Sequence, residues 1–63
     1  MQNRLKEYRE KANLTQDELA KKSDVSRNTI STLETKENAN VTYEIMEKIA
    51  NALNKKVATI FFN

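Results

Sequence analysis

The stretch LTQDELAKKSDVSRNTISTLE, Leu14 to Glu34, holds two helix starts in close succession. Thr15 followed three residues on by Glu18 is a capping box. The hydroxyl takes the N–H of Glu18, and the Glu carboxylate reaches back to the N–H of Thr15. Asp17 and Glu18 also suit the positive end of a helix dipole. A helix is therefore predicted from Gln16 to about Ser23, with Leu19 and Ala20 turned inward. It has only about two turns, too few to hold without packing. Asp24-Val25 breaks it, and Ser26 caps a further helix from Arg27 to about Thr35, a cap worth about 1 kcal/mol. In that helix Ile30, Leu33 and Glu34 share one face, while Asn28, Ser31, Thr32 and Thr35 share the opposite one. The outer face is polar yet nearly uncharged. A surface chosen only for solubility would carry more Lys and Glu.

The flanks read as helices too. Leu5, Tyr8 and Ala12 fall on one face of a helix over about residues 2 to 12, ended by Asn13. Downstream, Lys36 to Val41 is a polar loop, and Thr42 caps a helix over about residues 42 to 53. Tyr43, Ile45, Met46, Ile49, Ala50, Ala52 and Leu53 fill about half of its circumference, which makes it the expected spine of the core. Asn54 stands where Gly often ends a helix. Val57, Ile60 and Phe61 fit a short helix over 57 to 61, although Val57 to Phe62 also suits a strand.

Composition agrees with an all-α domain. The 63 residues fit one domain, residues 1 to 63. Gly and Pro are absent, so turns fall to Asn, Asp, Ser and Thr, and tight hairpins are hard to build. Cys and His are absent as well. Disulfides are excluded, zinc lacks its usual ligands, and no metal or cofactor is expected. A domain this small has a marginal core and gains from a partner chain. The net charge of +2, from 11 basic and 9 acidic residues, is a weak pointer to nucleic acid by itself. No apolar run is long enough to span a membrane, and no apolar stretch backs Met1-Gln2-Asn3-Arg4 as a signal peptide would require. A soluble cytoplasmic protein is expected.

Two short helices joined by a turn of about three residues make a helix-turn-helix pattern. Leu14-Thr15-Gln16, Glu18-Leu19-Ala20, Val25-Ser26, Ile30-Ser31 and Leu33-Glu34, followed by Ile49-Ala50, Ala52-Leu53 and Ile60-Phe61, resemble the phage-repressor and Cro type of helix-turn-helix domain, the lambda-repressor-like fold. Each motif is weak alone, but their joint order over nearly the whole chain is specific. The resemblance implies a compact five-helix domain, with the 16–23 helix across the DNA backbone and the 27–35 helix in the major groove. Members of the family are mostly bacterial and phage repressors, immunity regulators and antitoxins, and many bind pseudo-palindromic operators as homodimers. The chain departs from the pattern at Asp24, where Gly is usual. Asp reaches the left-handed region at modest cost. The loop Thr35 to Val41 lacks the usual Gly and Pro and is about one residue longer, and Lys55 replaces a common apolar residue.

The expected interface follows. Phosphate contacts supply affinity, and base edges supply specificity. Gln16, at a helix N-terminus, donates its amide to a phosphate in family members, beside free backbone N–H groups. Arg27 and Asn28 occupy the first turn of the reading helix, where Arg matches guanine and Asn matches adenine. Ser31 and Thr32 lie one turn on. Thr29, Ser26 and Lys36 are placed for phosphates, Ser26 also as the cap. For these residues the plain alternative is a solvated helix surface. Arg9 and Glu34 match a partly buried family ion pair that ties two helices together. Ile60, Phe61 and Phe62 are apolar beyond the needs of one small core: Phe61 is expected inside it, Phe62 with Ile60 or part of the 42–53 helix face is the expected dimer contact, and burial of them all in the core is the alternative. A dimer would set two reading helices about 34 Å apart, one DNA turn.

An enzyme is not expected. No His, Cys or Gly-rich loop is present, and Asp17 and Glu18 are sequence neighbours that do not face each other on a helix. No catalytic residue is assigned. The competing reading is a protein-interaction module, such as an antitoxin or anti-regulator with a protein partner. The low net charge and Phe62 suggest it.

Overall fold

A computed structural model describes residues 3–36 and 41–62. Among the described residues the chain forms five helices and no strand: α1 (Leu5–Lys11), α2 (Gln16–Ser23), α3 (Arg27–Thr35), α4 (Tyr43–Ala52) and α5 (Val57–Phe61). None is long and apolar enough to cross a membrane.

The local signals act as elementary chemistry requires. Thr15 and Glu18 complete both halves of the capping box, at 3.0 and 2.8 Å. Ser26 and Thr42 accept the N–H groups of Thr29 and Ile45. Without glycine, three left-handed positions fall to Asn13, Asp24 and Asn54, with φ near +60° (59°, 60° and 57°). These short polar side chains tolerate that region best among residues with a Cβ. Asp24 thereby turns the chain out of α2 and into the cap of α3. The segment that fits either a helix or a strand is helical, with Ile60 and Phe61 buried.

The α4 helix is the spine, packed on α2 and α5, while α1 packs on α3 and α5. Phe61, Leu5, Leu19, Ile30, Ile49 and Ile60 are the largest fully buried side chains. The start of the chain is stapled to this body. Asn3 Oδ1 accepts the Leu5 N–H, Asn3 Nδ2 donates to the Leu33 carbonyl at 3.0 Å, and the Arg4 N–H donates to the Ile60 carbonyl at 2.8 Å. Asn3, one residue ahead of the N-cap Arg4, thus satisfies the first N–H of α1, which begins at Leu5 rather than near residue 2.

Three expectations need correction. Ala12 is exposed, because α1 ends before it and its face no longer meets the core. Tyr43 is 58% exposed: as the first residue of α4 it lies at a helix end, outside the buried arc. Ile60 is fully buried, so of the two residues assigned to a dimer contact only Phe62, 58% exposed, lies at the surface. Lys55, at the position where an apolar residue is common, lies at the surface. Its ammonium lies 5.7 Å from the centroid of the Tyr8 ring, which Arg4 and Lys11 also flank at 5.4 and 5.3 Å. Long basic side chains can cover an aromatic face while keeping their charge in water. The expected loop of residues 36 to 41 falls largely outside the described residues.

Candidate nucleic-acid interface

The α3 helix is anchored on one side and open on the other. Ile30 and Leu33 are buried beneath it. Arg27, Asn28, Thr35 and Lys36 are exposed, and Thr29, Ser31 and Thr32 are half-buried. Ser26 caps the helix, and its hydroxyl also shares a hydrogen bond with the Thr29 hydroxyl at 2.8 Å. That bond fixes two hydroxyls at the leading end of the helix. Thr35 folds its hydroxyl back to the Ser31 carbonyl at 2.9 Å. The Asn28 side chain makes no hydrogen bond among the described residues, so its amide keeps its full set of donors and acceptors.

Beneath this surface lies a charged clamp. Arg9 Nε donates to Glu34 Oε2 at 2.6 Å, and Nη2 donates to Oε1 at 3.1 Å. The two side chains are only 11% and 2% exposed. Arg9 Nη1 donates to the Leu14 carbonyl at 2.7 Å. The hydrogen bond to Glu34 holds the Arg9 guanidinium above its usual range, against the opposing effect of burial. A buried pair is tolerable only when its remaining donors and acceptors are also used. Gln16 supplies part of that need, since its Nε2 donates to Glu34 Oε1 at 3.1 Å. One carboxylate on α3 thus gathers donors from α1 and α2.

This changes the place of Gln16. The sequence offers it to a phosphate, whereas the structure directs its amide inward to Glu34. An amide nitrogen carries two hydrogens, so one remains for another acceptor. The capping box occupies the N–H groups of Thr15 and Glu18 and leaves those of Gln16 and Asp17. Among the described residues the first turn of α2 therefore presents unpaired backbone donors near Gln16, a ready anion position.

Two partnerships escaped the sequence reading. Asp17, considered there only for the helix dipole, lies with Oδ1 3.3 Å from Arg27 Nε, and both side chains are well exposed. Asn3 ties the start of the chain to α3. Opposite charges at the leading ends of two consecutive helices were the available signal for the first, and an Asn ahead of an apolar helical stripe for the second.

Comparison with known proteins fits this architecture. The helix-turn-helix family matches residues 5–60. A protein of the archaeon Archaeoglobus fulgidus, named as an uncharacterized HTH-type transcriptional regulator, is 46% identical over 61 residues, covering 97% of this chain and 84% of the relative. A second protein of that name and organism is 41% identical over 61 residues, covering 97% and 86%. No solved structure matches the chain. The chain belongs to the lambda-repressor and Cro type of helix-turn-helix family of transcriptional regulators.

Proposed function

We propose that the protein is a sequence-specific double-stranded DNA-binding regulator, a cytoplasmic repressor that reads the major groove with α3. One observation carries this reading: the Asn28 side chain stands exposed and without a partner among the described residues, beside Arg27, on a helix whose other face is locked down by Ile30 and Leu33. A rigid support and free hydrogen-bonding groups are what base discrimination requires. Asn28 and Arg27 take base edges, with Ser31 and Thr32 behind them. Gln16, Ser26, Thr29 and Lys36 take phosphates, and the first turn of α2 adds its backbone N–H groups. No cofactor has a role in this scheme.

The functional unit we infer is a homodimer on a pseudo-palindromic operator, joined in part through Phe62. Two copies double the phosphate contacts, which offsets the low charge of a single chain. Selection of bound DNA from a random pool tests the scheme, because it returns site, symmetry and spacing together. Asn28→Ala is expected to relax preference at one base position per half-site, by about 1–3 kcal/mol. Uniform enrichment of all sequences by the wild type would sink base reading by α3.

A further inference from the structure

We infer that Asp17 is a specificity-determining positioning residue, whose charge draws the Nε side of the Arg27 guanidinium so that its two terminal nitrogens face a guanine. The inference rests on the DNA-binding reading above and names the base that one part of the site takes.

Asp17 is the second residue of α2, and Arg27 is the first of α3. The left-handed turn at Asp24 brings these two helix starts together, so that Asp17 Oδ1 lies 3.3 Å from Arg27 Nε. A guanidinium carries one N–H on Nε and four on its terminal nitrogens. The carboxylate lies on the Nε side of the guanidinium as an ion-pair partner, and the terminal fork is left. Two parallel donors of that fork match O6 and N7 of guanine, whereas adenine sets a donor, its N6 amino group, opposite one of them. An unrestrained Arg on the same turn could reach a phosphate just as well, and a phosphate contact carries no sequence information.

Asp17 discourages that alternative in two ways. In the free protein the pair is exposed, with side chains 63% and 68% accessible, and contributes little to folding. When DNA covers this surface, water leaves and the attraction strengthens. If Arg27 then swung to the backbone, Asp17 would be left as an unpaired carboxylate facing phosphates. The carboxylate thus trades general affinity for discrimination, on a chain whose net charge is only +2.

The test is selection from a random DNA pool with wild type, Asp17→Asn, Asp17→Ala, Arg27→Gln and the double variant Asp17→Asn with Arg27→Gln. Circular dichroism checks each fold, and titrations follow on the selected site, its single-base variants and random-sequence DNA. The wild type should enrich guanine at one position per half-site, and Arg27→Gln should abolish that enrichment. Both Asp17 variants should lower the guanine preference at that position by about tenfold. They should also bind random-sequence DNA more tightly, with a salt slope steeper by about one phosphate contact. In the Arg27→Gln background, Asp17→Asn should change nothing further at that position. An unchanged guanine preference in the Asp17 variants overturns the positioning role and leaves base reading intact. A wild type that enriches no sequence overturns base reading itself, and the inference with it.

Discussion

Two ion pairs join an arginine to an acid between helices, Arg9–Glu34 linking α1 to α3 and Arg27–Asp17 linking α3 to α2, and they differ in almost every physical respect. Arg9–Glu34 closes at 2.6 Å with both side chains nearly sealed from water, and its carboxylate also receives Gln16. Arg27–Asp17 sits at 3.3 Å with both partners mostly in solvent. The first is enclosed, fully hydrogen-bonded and has no freedom to change partner. The second is loosely held and can be completed by whatever covers it. An ion pair is therefore architectural or available according to what surrounds it, and this domain places one of each kind at opposite ends of α3.

The largest expected effect comes from breaking the enclosed pair. Glu34→Ala leaves Arg9 buried without its counter-charge and should destabilise the fold by about 3–5 kcal/mol. That is a large part of the stability of a domain this small. Urea unfolding followed by circular dichroism measures it. Replacing both partners together, as Arg9→Met with Glu34→Leu, should recover much of the loss, because no uncompensated charge remains. A loss below 1 kcal/mol for Glu34→Ala would erase the distinction drawn here.

Gln16→Ala comes next, because that residue touches both regions. It removes one hydrogen bond from the enclosed carboxylate, worth about 1 kcal/mol of stability. On the proposed function it also removes a phosphate donor, weakening binding to all sites by a similar factor. Unfolding and DNA titrations separate the two effects. Full stability alongside weakened binding would place the Gln16 amide on DNA alone, outside the clamp.

The helix boundaries around the turn were legible because each depends on a local rule. Thr15 with Glu18, Ser26, and Asp24 in place of Gly each name a backbone N–H or a φ value without reference to the rest of the chain. The alternation of apolar and polar residues along α4 likewise located its buried arc, except at Tyr43, where the helix begins. What stayed illegible depends on tertiary geometry. Ile60, Phe61 and Phe62 are consecutive and apolar, and only the angle at which α5 meets α4 and α1 decides that the first two are buried and the third is not. The inward bond of Gln16 and the meeting of Asp17 with Arg27 arise between helices, where spacing within one helix carries no information. The residues assigned to the interface were thus identifiable by type and position, while their partnerships inside the protein were not.

Opening the exposed pair should leave folding almost unchanged. Asp17→Ala is expected to alter stability by about 0.5 kcal/mol or less, since exposed pairs contribute little and are screened by salt. Thermal unfolding at low and high salt checks this. A loss as large as that of Glu34→Ala would make Arg27–Asp17 a structural pair and remove its freedom to serve recognition.

The smallest effect concerns a third pairing, at the solvent edge of α1, and asks whether it behaves like the exposed pair. Glu7 lies between Arg4, at 2.7 Å, and Lys11, at 3.1 Å. Their hydrogen bonds, that of Arg4 first, hold its carboxyl down from an ordinary 4.5 to about 2. A depressed folded-state value means that the ionised form favours the fold. The contribution is fully present above the ordinary value, fades as pH falls, and is gone below about 2. The stability difference between wild type and Glu7→Gln should therefore favour wild type near neutrality and shrink between about pH 5 and 2. Added salt should diminish it throughout, because every group involved faces solvent. Carbon NMR titration of the Glu7 carboxyl gives the direct readout. A midpoint near 4.5 at low salt would show that Arg4 and Lys11 do not hold it. A low midpoint that survives high salt would place this exposed pairing in the same physical class as Arg9–Glu34, and exposure would no longer separate the two kinds.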